Sequence, residues 1–266
     1  MGLYTPSRRD RRLGEHNVDT LLQILARVAA VAVACAAAGA QAEDACPAAL
    51  GQATRLVLVE TADMSSIAAR LRRFERSATG QPWREIGRAK PAVVGKSGLG
   101  WGWTFAKDAG SGEPMKHEGD LRAPAGFYSL GRPFGLIPAG FAGYLTLQPE
   151  ESFCVADAGS PHYGAIVSRA VAGKAVAGEE MWRVALYKRG LVVDYPPNRA
   201  GNAGSCVFIH IWRSPASGTA GCVALAEAGV KELQTWAKLG TAVIGILPKA
   251  AFDRFAACLP GVLAPR

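Results

Sequence analysis

The sequence predicts a single, mostly β domain with one or two short helices, preceded by an export signal. Three observations lead there. The 31 glycines and 16 prolines in 266 residues suit a turn-rich, strand-heavy fold better than a helical bundle. Short runs of β-branched and aromatic residues recur between polar turns, whereas only one segment has a helical apolar face with signals at both ends. Hydrophobic content of 49% with 20% charged residues is that of a globular chain able to bury a core without staples, and no internal repeat or low-complexity linker interrupts residues 43–266.

Residues 1–42 differ from the rest. Arg8, Arg9, Arg11 and Arg12 precede an alanine-rich apolar run from Leu21 to Ala40, and Ala40-Gln41-Ala42 has the small residues that signal peptidase accepts. A signal peptide over 1–42 is expected, followed by one domain over 43–266. An uncleaved anchor is the alternative, because the run approaches the roughly 20 apolar residues that span a bilayer. The expected location is therefore the periplasm or cell envelope, with membrane contact only through a retained signal segment. Formal charge is +8; removing residues 1–42 takes away five arginines and three acids and leaves +6. Such a domain suits anionic surfaces such as cell wall or lipid headgroups. No Lys/Arg block with interleaved aromatics occurs, so nucleic acid is excluded as a partner.

Along the chain, Arg55 to Thr61 reads as a strand. Residues 68–94 read as a hairpin with arms Ala69 to Arg76 and Trp83 to Val94 around a polar turn, although the spacing of Ile67, Leu71 and Phe74 also permits a helix in the first arm. Gly95 to Gly102 reads as a glycine-rich loop. Phe127 to Leu130 and Tyr144 to Leu147 read as short strands, and Met181 to Tyr195 as two strands around a turn at Lys188-Arg189-Gly190. Cys206 to Trp212 is a buried strand with His210 almost its only polar residue. A helix starts near Glu227, where an acid complements the dipole, and stops at Gly240. Thr241 to Leu247 is a further strand, and a second short helix is expected within Ala250 to Cys258.

Past residue 42 five cysteines remain: Cys46, Cys154, Cys206, Cys222 and Cys258. An odd count in an oxidising compartment implies a free thiol or an intermolecular bridge. With Cys222 free, the other four permit three pairings, of which Cys154–Cys206 with Cys46–Cys258 is the expected one. Cys222 follows Thr219-Ala220-Gly221 and lies twelve residues after His210. An imidazole on an adjacent strand can activate a thiol, Gly221 allows close approach of a substrate carbonyl, and N–H groups around Cys222 can stabilise an oxyanion. Read blandly, Cys222 is half of a structural disulfide and His210 a satisfied core histidine; the odd count and the shared context favour the chemical reading. No His-Glu-x-x-His, Cys-x-x-Cys or clustered ligand set occurs, so neither metal nor cofactor is expected.

These residues resemble the L,D-transpeptidase catalytic-domain family. Gly204-Ser205-Cys206-Val207-Phe208-Ile209-His210-Ile211-Trp212 and Thr219-Ala220-Gly221-Cys222 resemble a branch with an H-I-W strand and a T-A-G-C nucleophile loop. Lys116-His117-Glu118-Gly119-Asp120, Ala123-Pro124-Ala125-Gly126-Phe127, Ser160-Pro161-His162-Tyr163 and Val193-Asp194-Tyr195 resemble further segments of that branch, so the likeness spans roughly 54–247. The resemblance implies a β-sandwich or barrel catalytic domain acting on peptidoglycan stem peptides, forming cross-links or attaching an envelope protein. It implies Cys222 as nucleophile, His210 as base oriented by a backbone carbonyl, and Gly221 and Cys222 as oxyanion donors. Thr219, Trp212 and Tyr195 are added as loop, groove and further oxyanion residues. The family commonly has histidine at Ala220 and arginine at Ala224, and Arg213 is the candidate replacement for that lost cation. Those two departures leave a peptide hydrolase or amidase on the same scaffold, and a non-catalytic wall-binding protein, as alternatives.

Overall fold

The structure is a computed structural model that describes Gly2 and residues 46–262. The expected signal segment lies outside the described residues. Among the described residues no helix is long and apolar enough to cross a membrane.

Thirteen strands are described. β1 (Arg55–Thr61), β2 (Ala68–Glu75) and β3 (Arg84–Val93) form the expected strand and hairpin. The first hairpin arm is a strand despite its helical spacing, because pairing to β1 and β3 on both sides satisfies its backbone. The glycine-rich loop contains a short strand, β4 (Leu99–Trp101), and continues into a 3₁₀ segment at Trp103–Asp108. β5 (Ala123–Gly135) is far longer than the Phe127 to Leu130 expected. It meets a different partner along each part of its length, first β4, then β13 (Ala242–Pro248), then β10 (Gly190–Val193). β6 (Leu145–Thr146) pairs with its end.

β10 bonds to β5 on one side and to β11 (Phe208–Ile211) on the other. β11 pairs in parallel with β12 (Val223–Leu225), which pairs with β3. Eight strands therefore close into a barrel-like ring in the order β10-β11-β12-β3-β2-β1-β13-β5, a mostly β fold with few short helices. Val57 and Leu58 point to opposite faces of β1 and are both fully buried, so the sheet is covered on both sides.

Three strands absent from the sequence reading, β7 (Phe153–Val155), β8 (Ile166–Val167) and β9 (Gly178–Glu180), form a separate small sheet. Met181 to Lys188, expected as a strand, is instead two 3₁₀ turns, Met181–Arg183 and Ala185–Lys188. Met181, Tyr187, Phe134 and Phe208 pack there with Cys154 and Cys222 in a cluster of their own.

Of the short helices α1 (Ala48–Gly51), α2 (Arg169–Ala172), α3 (Glu227–Ala237) and α4 (Phe252–Phe255), only α3 is substantial. It begins two residues after β12. Glu227 in its first turn is ion-paired to Lys188 at 2.7 Å, and Val230 and Leu233 are buried. Gln234, almost fully buried, donates through Nε2 to the carbonyls of Phe134 and Gly190, both at 2.8 Å. That fork ties α3 to β5 and β10 and satisfies two carbonyls that would otherwise be costly inside the fold.

Candidate active site

Cys222 and His210 are brought to one cleft by adjacent strands. His210 lies across from Ala224 in the parallel β11–β12 pair, and Cys222 is the residue immediately before β12. Gly190 is the partner of His210 on its other side, and a Cβ there would come within 2.3 Å of the Phe134 ring. Small neighbours on both flanks leave room for the imidazole.

Cys222 is the free cysteine among the described residues. Cys154 and Cys206 form a disulfide, and Cys46 and Cys258 are each half-cystines. The expected Cys154–Cys206 bridge is therefore present. It joins β7 to the segment entering β11, next to the free thiol, whose Sγ lies 3.5 Å from the Cys206 carbonyl.

The loop that carries Cys222 is braced from within. Thr219 Oγ1 donates to the Cys222 carbonyl at 2.6 Å and accepts from the Gly221 N–H at 3.1 Å, while its own N–H donates to Val94 and its carbonyl accepts from Lys96. Gly221 has φ +141°, a conformation open to glycine, and a Cβ would approach the Arg122 carbonyl to 3.0 Å. This arrangement corrects one expectation. The Gly221 N–H is turned onto Thr219, so it does not face the cleft, whereas the Cys222 N–H has no acceptor among the described residues. Tyr195 is a second correction. Its hydroxyl donates to the Ala203 carbonyl at 2.8 Å and its ring packs on Tyr128, and it lines neither cleft at Cys222.

His210 Nδ1 lies 2.8 Å from the Ile211 carbonyl, which fixes the tautomer with the proton on Nδ1 and leaves Nε2 as the basic nitrogen. The ring meets Tyr187 edge-on at 5.2 Å. Burial lowers the His210 pKa, opposed by the Ile211 carbonyl. Burial pushes the Cys222 thiol up to about 12; Glu179 raises it further, while the Phe208 N–H, Lys116 and Tyr187 work the other way. The resting pair is thus thiol and neutral imidazole, because desolvation outweighs every nearby donor and cation. Alkylation of Cys222 by iodoacetamide is accordingly expected to climb steadily from about pH 7 to 10 without a plateau. A plateau with an apparent pKa below 7 would contradict this reading of the site.

Two clefts meet at the sulfur. The larger, of ≈540 Å³, is bounded by His210, Trp212, Arg213, Lys96 and Thr219. The smaller, of ≈260 Å³, is bounded by Lys116, Glu118, Ser205 and Gly221. Glu179, Tyr187, Ala220 and Cys222 border both. Of the residues named from sequence, Cys222, His210, Thr219, Trp212 and Arg213 gather at the larger cleft and Gly221 at the smaller; Tyr195 does not join them.

Tyr187 and Glu179 were missed. Tyr187 is buried beside the Cys222 sulfur and donates its hydroxyl to Glu179 Oε2 at 2.6 Å. Among apolar neighbours a lone tyrosine reads as core, and a Glu-Glu pair reads as solvated loop, so neither carries a local signal. Lys116 and Glu118 were seen only as parts of a resembling segment. Lys116 Nζ pairs with Asp120 at 2.6 Å, and Asp120 also accepts from the N–H groups of His117 and Arg122, locking the turn beside Gly221. Glu118 Oε2 accepts from the hydroxyls of Tyr163 and Ser205, binding the β7–β9 region to the segment that leads into β11.

A closed β ring thus seats a free thiol at the junction of two clefts and a carbonyl-fixed imidazole in the larger of them. The family model of the L,D-transpeptidase catalytic domain (YkuD) matches residues 81–244. The chain belongs to that family. Similar solved structures include Bd1075 of Bdellovibrio bacteriovorus, at 19% identity over 74% of this chain and 48% of that one, with a TM-score of 0.37. They also include the helical cell shape determining protein Pgp2 of Campylobacter jejuni, at 14% identity over 78% of this chain and 54% of that one, with a TM-score of 0.38. A point mutant of Pgp2 matches at 15% identity over 78% and 53%, with a TM-score of 0.39. The chain spans about half the length of these proteins. Comparison with curated proteins gives no match.

Proposed function

We propose that this protein is an exported L,D-transpeptidase that acts on peptidoglycan stem peptides through a thioester on Cys222. The observation that carries the proposal is a free thiol sharing a cleft with an imidazole whose Nδ1 is already committed. In the first half-reaction His210 Nε2 takes the thiol proton as Sγ attacks the stem carbonyl. The Cys222 N–H then meets the developing oxyanion, with Tyr187 within reach if its hydroxyl leaves Glu179. Collapse expels the terminal residue as an amine, protonated by His210, and leaves the acyl group on sulfur. An amine from a second stem or an envelope protein then resolves the thioester.

Ala224 is fully buried opposite His210 and offers no cation where the family commonly has arginine. Arg213 and Lys96 border the larger cleft with no acidic partner among the described residues, and would hold the donor stem's carboxylates there. Hydrolysis is the second reading, favoured by the small Ala220 at the cleft junction, which leaves space for water. Purified peptidoglycan incubated with a labelled acceptor amine decides between them. Wild type is expected to yield labelled stems and Cys222→Ala none; labelled stems from Cys222→Ala would exclude the mechanism, and unlabelled shortened stems alone would select hydrolysis.

A further inference from the structure

The two clefts that share Cys222 differ in charge. The larger carries Lys96 and Arg213, neither with an acidic partner among the described residues. In the smaller, the one cation, Lys116, is 4% exposed and neutralised by Asp120 at 2.6 Å, whereas Glu118 and Glu179 both border the space. Glu179 is the carboxylate common to both clefts. Its Oε2 accepts from Tyr187 at 2.6 Å. It is held in place: Glu179 lies directly across from Cys154 in the β7–β9 pair, and Cys154 is bridged to Cys206, whose carbonyl lies beside the Cys222 sulfur.

A carboxylate is a poor neighbour for a cysteine that must lose its proton, and Glu179 does raise the thiol pKa. Its placement makes sense for the second half-reaction. We propose that Glu179 forms the cation-binding part of an acceptor subsite in the smaller cleft, where it receives the ammonium group of the incoming primary amine. This rests on the Cys222 thioester proposed above. The ammonium group gives one proton to the Glu179 carboxylate and becomes a free amine. The amine nitrogen attacks the thioester carbonyl, forming the C–N bond. His210 takes the second N–H proton and delivers it to Sγ as the C–S bond breaks, and Glu179 returns its own proton to water. The products are an amide and the Cys222 thiol. Burial raises the Glu179 carboxyl, which eases the first of these transfers.

The test uses the full exported domain of wild type and Glu179→Gln, acylated with a stem tetrapeptide and offered three acceptors. These are a labelled diamino acid, charged at neutral pH; hydroxylamine, uncharged at neutral pH; and water. Glu179→Gln is expected to acylate at least as fast as wild type, since the charge that opposes loss of the thiol proton is gone, and to resolve with hydroxylamine or water within a few-fold of wild type. Its transfer to the charged amine should fall on the order of tenfold or more, as for loss of one charge-assisted contact. Unchanged transfer to the charged amine overturns the proposal. So does an equal loss with all three acceptors or a loss of acylation, either of which makes Glu179 a prop for Tyr187. A wild-type thioester that never passes to an amine overturns it while leaving the Cys222 reading intact; absence of any wild-type thioester defeats that reading first.

Discussion

His210→Ala is expected to slow acylation of Cys222 by roughly 10²- to 10⁴-fold, the range for loss of a positioned general base. The size follows from the resting state. With the thiol pushed up to about 12 and the imidazole kept neutral by burial, no preformed thiolate exists to attack unaided. The base must take the proton during attack, so its loss falls directly on the barrier. Raising the pH should partly restore the variant, since hydroxide can then supply what the imidazole did. Single-turnover acylation followed by mass spectrometry across pH reads both effects. Equal rates for wild type and His210→Ala at neutral pH would remove His210 from the chemistry.

The second large effect is on stability and site assembly together. Cys154 and Cys206 close a loop with a sequence separation of 52. For a loop of that length the chain-entropy estimate is about 4 kcal/mol. For a domain of this size that corresponds to roughly 10 °C in Tm. The double variant Cys154→Ser, Cys206→Ser is expected to show that loss in thermal unfolding and a slower acylation besides. The bridge fixes β7 against the segment entering β11 and so holds the Cys206 carbonyl beside the Cys222 sulfur. A change of less than about 1 kcal/mol would mean that the ring alone holds these parts, with the bridge contributing little beyond it.

What was legible in the sequence follows element length and locality. β1, the β2–β3 hairpin, β11, α3 and β13 announce themselves because each has enough residues to show a period or a continuous apolar run. β7, β8, β9 and β12 have two or three residues each, too few for alternation to register, and they exist because long-range pairing satisfies their backbones. Met181 to Lys188 has strand-like composition but turns twice, and so delivers Tyr187 to His210 and Glu179. The site divides the same way. Cys222 and His210 lie close in sequence within recognisable segments. The walls around them come from residues 96, 116, 179 and 187, whose convergence is a property of the closed ring and the small sheet beside it. Gly221 shows a finer limit: its spacing suits an oxyanion donor, yet one hydroxyl, Thr219 Oγ1, claims its N–H.

The most direct measurement of the central claim is the mass of the intact protein, with peptide mapping, after incubation with a carbapenem at neutral pH. A single adduct on the Cys222 peptide, absent from Cys222→Ala and strongly slowed in His210→Ala, is the predicted result. An unmodified Cys222 in folded wild type, or an adduct that persists in Cys222→Ala, would contradict it.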